Sequence, residues 1–186
     1  ISYNLSADYY AKKYQFSINI FRTNLKDKIQ FSPADDEVKK FGYSYQWENV
    51  DDAYVQGVEL GAKANLFRNF NAGVNWTFNQ GKFKHERADW SDPNDETVKE
   101  FPQRLQYAKD SRNISRFPAM TGDIDLDYTP GTWSFSLTSS LQGKMYIDYN
   151  SEDDGATSKI KKTNTFMLFN CRAAKRFGMC TVYAGA

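Results

Sequence analysis

The chain has 186 residues, with 24 Lys and Arg against 23 Asp and Glu for a net charge of +1, a balance that argues against nucleic acid or a strongly acidic partner. Aromatic residues reach 16% and prolines number only 5, a composition that favours strands over helices. No run of about 18 apolar residues exists, which excludes a transmembrane helix. A mean hydropathy of -0.71 leaves a membrane β-barrel open, because barrel strands alternate polar and apolar residues.

In chain order, Ile1, Tyr3, Leu5, Ala7 and Tyr9 alternate with Ser2, Asn4, Ser6 and Asp8, which predicts a first strand ended by Lys12-Lys13. Tyr14, Phe16, Ile18 and Ile20 form the second. Its phase blurs after Phe21, and Leu25, Ile29 and Phe31 predict that it runs on past a bulge. Ser32 to about Tyr45 reads as a loop opened by Pro33-Ala34-Asp35-Asp36.

Tyr54 to Phe78 holds the cleanest pattern. Val58, Leu60, Ala62, Ala64 and Leu66 fall on one side, and Gly57, Glu59, Gly61, Lys63 and Asn65 on the other. After Phe67-Arg68-Asn69 the alternation restarts with Phe70, Ala72, Val74, Trp76 and Phe78. Two such runs joined by about three residues predict an antiparallel hairpin.

Lys82 to Arg116 is the longest interruption, and compact domains rarely keep loops above about 15 residues unless they work or are disordered. Strand five follows with Met120, Ile124, Leu126 and Tyr128 opposing Thr121, Asp123, Asp125 and Asp127. After Thr129-Pro130-Gly131, strand six sets Trp133, Phe135, Leu137 and Leu141 against Ser134, Ser136, Thr138, Ser140 and Gln142. Met145, Ile147 and Tyr149 extend its pattern. Asn150 to about Lys162 is a polar loop, a seventh strand runs near Thr163 to Lys175, and Met179 to Ala186 begins an eighth. Both ends of the chain lie in strand phase, so it reads as a piece of something longer.

The connections decide the class. Those after strands one, three, five and seven are short, whereas those after two, four and six are long and charged. An up-and-down meander therefore gathers its short turns at one end and its long loops at the other, the asymmetry of outer-membrane barrels. A lipocalin-like soluble barrel competes. However, strands four and six carry Asn, Gly, Thr, Ser and Gln rather than the Lys and Glu of a bulk-water face. The apolar face also places aromatics near its ends: Tyr9, Tyr14, Phe70, Phe78, Tyr128, Trp133 and Tyr149, as interfacial girdles do.

Little else suggests chemistry. The single histidine, His85, sits in the long loop beside Glu86 and Arg87 and reads as a solvated side chain. No nucleophile elbow, zinc spacing or phosphate loop occurs, so neither catalytic residues nor metal ligands nor a cofactor are predicted. Cys171 and Cys180 flank the last turn. They could bridge across the hairpin, which the periplasm would permit, or serve as two small wall residues. Asp148, Asn150, Glu152, Asp153 and Asp154 place their glycine, Gly155, too late for an EF-hand, and an ordinary solvated acidic loop is the better reading. Glu59, Lys63, Asp123, Asp125 and Asp127 are the charges on the polar face, suited to water, a docked plug or a polar substrate path. For ligand capture the 82–116 loop stands out, with Trp90, Phe101 and Tyr107 at the outer mouth.

Several stretches resemble the barrel of TonB-dependent outer-membrane receptors, specifically its C-terminal part in Bacteroidetes-like members. Phe21 to Ile29 is similar to a late strand leading to an outer loop. Gln56-Gly57-Val58-Glu59 resembles the family's Arg-Gly-(hydrophobic)-Glu strand start, with Gln56 in place of the arginine. Arg116-Phe117-Pro118 and Gly143-Lys144-Met145-Tyr146 resemble its last third. The resemblance covers nearly the whole chain. It implies an all-β, antiparallel up-and-down meander of about 8 strands from a 22-stranded transmembrane barrel, residues 1–186 forming one partial segment without plug or final strands. It further implies energy-coupled import of a scarce nutrient (a metal chelate, cobalamin or a glycan) in the bacterial outer membrane. The partners it implies are membrane lipid, the remaining barrel and plug, and TonB. A small eight-stranded structural or adhesive outer-membrane barrel and a lipocalin-like binder are the alternatives.

Overall fold

The structure, a computed structural model, describes all residues except 34, 35, 87, 89, 91 and 148–152, and omits the side chains of 28, 30–33, 48, 50 and 51. Eight strands form one antiparallel sheet in sequential order: β1 (Ser2–Tyr10), β2 (Tyr14–Pro33), β3 (Tyr45–Phe67), β4 (Phe70–Phe83), β5 (Met120–Tyr128), β6 (Trp133–Gln142), β7 (Phe166–Phe177) and β8 (Cys180–Gly185). Each strand pairs only with its chain neighbours, so β1 and β8 do not close on each other and the sheet is open. The closed eight-stranded alternatives therefore give way to a wall segment. Three short helices lie in the long connections: α1 (Asp36–Lys39), α2 (Glu96–Glu100) and α3 (Gln103–Ser111).

The register carries the alternation of the sequence across the whole sheet. Ile18, Leu60, Trp76 and Gly122 are successive cross-strand partners, and Leu126, Leu137 and Cys171 continue the same side. Asn19, Glu59 and Thr77 line up on the other side, as do Asp123 and Ser140. Directly opposed residues share a face, so one face is apolar from β1 to β8 and the other polar. From Phe70 to Phe78 the apolar face of β4 runs about 27 Å along the strand. Tilted as barrel strands are, that is about 21 Å in height, close to a membrane's apolar band.

The expected bulge is present. Pairing slips between Leu25 and Lys28 and returns to register by Ile29, with Asp27 at φ 50. The β2–β3 ladder then continues to Pro33 and Tyr45, so this hairpin projects well past the neighbouring strands. The turn ends are also as expected: residues 11–13, 68–69, 129–132 and 178–179 lie at one end of the sheet. The segments 34–44, 84–119 and 143–165 lie at the other.

Three expectations are corrected. Strand six stops at Gln142, after which Gly143 donates its N–H to Met120 O (2.7 Å) and only an isolated bridge joins Tyr146 to Lys162. Tyr149, expected to extend the strand, lies outside the described residues, as do Asp148, Asn150 and Glu152 of the acidic loop. Strand seven begins at Phe166 rather than Thr163. Finally, Cys171 and Cys180 do not meet. Cys171 exchanges both backbone hydrogen bonds with Ala186, while Cys180 pairs with Phe177. Six residues of β7 separate the two levels, about 20 Å, far beyond disulfide reach, and both thiols are free.

Candidate functional site

Two surfaces are built for contact with something other than the sheet itself. The first is the polar face. Glu59, Lys63, Asp123, Asp125 and Asp127 all lie on it, since Glu59 opposes Thr77, Lys63 opposes Gly73 and Gly73 opposes Asp125. Their neighbours are small hydroxyl and amide residues that hydrogen-bond across strands. Ser6 Oγ donates to Asn19 Oδ1 (3.0 Å), and Asn19 Nδ2 donates to Glu59 Oε2 (2.9 Å). Ser140 Oγ donates to Asp123 Oδ1 (2.8 Å). Gly73 leaves the space through which Lys63 and Asp125 approach one another across two strands. A hollow of about 490 Å³ opens there near the short turns, bounded by Lys12, Lys13, Lys63, Asp125 and Asp127. Mixed charge over a wall of Asn, Ser, Thr and Gly suits a wet interior.

The second surface is a cap made by the β4–β5 and β6–β7 connections, which fold together. Its core consists of Ala88, Tyr107, Ala108 and Ile160, with Trp90 and Tyr146 packed against it. Tyr107, from α3, is 3% exposed and donates its hydroxyl to Asp153 Oδ2 (3.2 Å). Trp90 meets Tyr107 edge-on at 5.8 Å and lies across Gly155, whose φ of +65 and lack of a Cβ both suit glycine alone. Arg104 ties the pieces: its guanidinium stands 4.9 Å from the ring centroids of both Trp90 and Phe101. The same side chain donates to Asp154 O (3.0 Å) and Thr97 O (3.2 Å). Gln103 Nε2 adds a bond to Ala156 O (2.6 Å). The structure thus brings Trp90, Phe101 and Tyr107 together, with Trp90 and Phe101 half-buried and Tyr107 inside the layer.

Three ionisable groups of the long-loop end are shifted. The hydroxyl and N–H of Thr97 hold the Asp95 carboxyl below the usual carboxylate range while it caps α2. The N–H of Thr157, with that of Ala156, does the same for Asp154. Lys162 is raised, chiefly by its hydrogen bond with Tyr146, over whose ring its Nζ sits at 4.4 Å. His85 is exposed where β4 leaves the sheet. Among the described residues no group of three or more His, Cys, Asp or Glu could hold a metal ion.

The sequence analysis gave no notice of α2 and α3. Asp95 before Glu96-Thr97, and Pro102 before Gln103, are start signals that could have revealed them. Nor did it mark Arg104, whose partners lie some fifty residues away.

The apolar face ends in aromatic rims. Toward the short turns Tyr9 stacks on Phe16 (6.4 Å), Phe67 on Phe70 (4.7 Å), Tyr128 on Phe135 (6.5 Å) and Trp133 on Phe135 (5.8 Å). Lys175 reaches over Trp133 at 4.7 Å. An apolar band with an aromatic rim, a polar opposite face and loops sorted by length define an open segment of a transmembrane β-barrel.

The chain belongs to the TonB dependent receptor-like, beta-barrel family, whose sequence profile matches residues 1–186. Proteins of this family reside in the bacterial outer membrane and are transporters, not enzymes. Similar solved structures share the fold. The copper transporter OprC is 20% identical at a TM-score of 0.67, with 99% of this chain and 25% of that one covered. The unliganded ferric citrate transporter FecA is 17% identical at 0.66, again with 99% and 25% covered. The Pseudomonas aeruginosa ferric enterobactin receptor in complex with enterobactin is 20% identical at 0.65, with 99% and 25% covered. The present chain therefore spans about a quarter of the length of these structures.

Proposed function

We propose that residues 1–186 are a single C-terminal segment, of the Bacteroidetes-like type, of the barrel of a TonB-dependent transporter that imports a scarce nutrient: a metal chelate, cobalamin or a glycan. In that reading the plug and the final strands belong to the rest of the barrel, of 22 strands in all. The polar face lines the lumen, where Glu59, Lys63, Asp123, Asp125 and Asp127 meet the plug or the passing substrate. The cap stands at the outer mouth and receives the ligand through Trp90 and Phe101, while Tyr107 holds their layer from within. TonB engages the protein through its plug-bearing part.

The observation that carries this reading is the pairing of a hydrogen-bonded polar wall with a folded cap at one end of it. A wall needs such a lining only if water or another domain fills the interior. A cap with its own core is a preformed surface, and recognition by loops on a rigid scaffold is common.

The test is uptake in whole cells of the source bacterium. Accumulation of labelled candidates from the three substrate classes is compared between wild type, a deletion of the gene encoding this chain, and a strain without TonB. Loss of uptake of one class in both mutants supports the proposal. Uptake of every class unchanged in the deletion refutes it. The mass of the native polypeptide tests the segment reading separately: several times 21.4 kDa is expected.

A further inference from the structure

Arg22 is a cation held in place without a carboxylate. It lies on the apolar face of β2, opposite Tyr3 and Gln56, where the apolar band ends toward the long loops. Its guanidinium sits 4.5 Å from the centroid of the Tyr54 ring. Nε donates to Asn24 Oδ1 (3.1 Å) and Nη1 to Gln56 Oε1 (3.0 Å). Gln56 passes the polarity on, its Nε2 donating to Gln80 Oε1 (3.0 Å). Every acceptor in this row is neutral, and among the described residues no ion pair includes Arg22. A guanidinium offers five N–H donors. Two are engaged, so Nη2 is left over, and the Gln80 amide closes the far end of the row with further donors.

Beneath the row lies a hollow of about 720 Å³ whose apolar part comes from Leu5, Ile20, Val58 and Phe78. We propose that hollow and row together bind an anionic phospholipid of the outward-facing leaflet. Its phosphate accepts from Arg22 and Gln80, and one acyl chain fills the hollow. A charge at the edge of a bilayer is costly unless it is paired or reaches water. Here the ring of Tyr54 and two neutral acceptors fix the guanidinium beside the hollow without neutralising it. A phosphate supplies the missing charge in the geometry that suits a guanidinium fork, and basic pockets on barrel or helix walls select anionic headgroups in this way. The other rim offers an internal contrast. Lys175 rests on the rings of Trp133 and Phe177 with no such row of amides, and it needs only water.

The inference rests on the long-loop end facing outward. To test it, the full polypeptide containing residues 1–186 is purified in a mild non-ionic detergent. It is titrated with dioleoylphosphatidylglycerol, with the phosphatidylcholine of the same chains and with inorganic phosphate, and bound lipid is counted by native mass spectrometry. Phosphatidylglycerol should bind about tenfold more tightly than phosphatidylcholine, and Arg22→Gln should abolish that preference. Lys175→Gln should leave the preference intact. Retention of barrel mobility in unheated SDS gels certifies each variant. If Arg22→Gln loses it, Gln80→Leu, which spares the arginine, must weaken phosphatidylglycerol severalfold. Equal binding of the two lipids overturns the proposal, as does a preference that survives Arg22→Gln or Gln80→Leu. Displacement of the lipid by inorganic phosphate at equal concentration would mark a soluble-anion site and overturn it too.

Discussion

The indole of Trp76 on β4 lies across Gly122, its cross-strand partner on β5, so closely that a Cβ at 122 would meet ring carbons Cε3 and Cζ3. The aromatic ring covers the strand where the glycine leaves the backbone bare, and the glycine in turn admits the ring flat against the sheet. Gly122→Val should therefore expel the indole from its seat and cost about 1–3 kcal/mol. Urea unfolding of the protein refolded in lipid vesicles, followed by tryptophan fluorescence, reads both the loss and the altered emission. An unchanged midpoint would mean that the ring has an equally good position elsewhere.

The two faces make opposite demands on a charge. Leu60 and Phe135 lie on the apolar face, Ser136 on the polar one. Leu60→Arg or Phe135→Arg should cost about 2–4 kcal/mol near mid-bilayer, whereas Ser136→Arg should be far milder. Comparable losses at both faces in the same vesicle assay would reverse the assignment of lipid and lumen.

Ser139 is a polar residue on the apolar face, opposite Ile124 and Phe169. It is 6% exposed and its Oγ has no hydrogen-bond partner. An unsatisfied buried hydroxyl costs about 1–3 kcal/mol, so Ser139→Ala should raise the unfolding midpoint. A lower midpoint would show that the hydroxyl is satisfied in the membrane.

The cap should melt separately from the wall. Tyr107 is buried among cap residues and touches no strand of the cluster's core. Removing a buried aromatic costs about 3–5 kcal/mol. Tyr107→Ala should open residues 84–119 and 143–165 to limited proteolysis while the barrel keeps its unheated SDS mobility. Joint loss of both would show one cooperative unit.

Acid should loosen the same cap. Asp95 and Asp154 titrate below the ordinary carboxylate range because N–H and hydroxyl groups of Thr97 and Thr157 bind the charged form. The stability they confer is present above the ordinary carboxylate pKa, about 4, and is lost as pH falls through their lowered values. Lys162 works in the opposite sense: its raised value keeps its contribution at every pH below that of ordinary lysine, and only strong alkali removes it. Proteolysis by an acid-active protease should therefore increase in the cap below about pH 4, and Asp154→Asn should remove part of that dependence.

The wall could be read from the sequence because its physics is local. Alternation at Tyr54–Phe78 states which side chains share a face, and the blurred phase after Phe21 marks the slip at Asp27. The cap could not be read, because Arg104 is explained by Trp90, Phe101 and the carbonyl of Asp154, which no single window contains. Apolar alternation also misled at Met145 and Ile147. Met145 takes a hydrogen bond from Gln142 and donates its own N–H to Thr163 Oγ1 (3.2 Å), and Tyr146 packs on the cap core, donating to Asp110 Oδ1 (3.1 Å). The pattern there reflects the cap's underside rather than a strand. In β7, Leu168 opposes Ser140 on the polar face, which is why four consecutive apolar residues obscured the period. As for the candidate site, the five charges of the polar face follow from the period, while the grouping of Trp90, Phe101 and Tyr107 depends on contacts between distant loops.

The separation of Cys171 from Cys180 has a practical consequence. Both point from the apolar face, one near mid-wall opposite Leu137, the other beside the last turn next to Phe177. The protein thus carries two native thiols at different immersion depths on a single hairpin. Nitroxides attached to them, with each cysteine in turn replaced by serine, would report oxygen and nickel-chelate accessibility at two heights, calibrating where the bilayer sits without engineering a foreign residue into the wall.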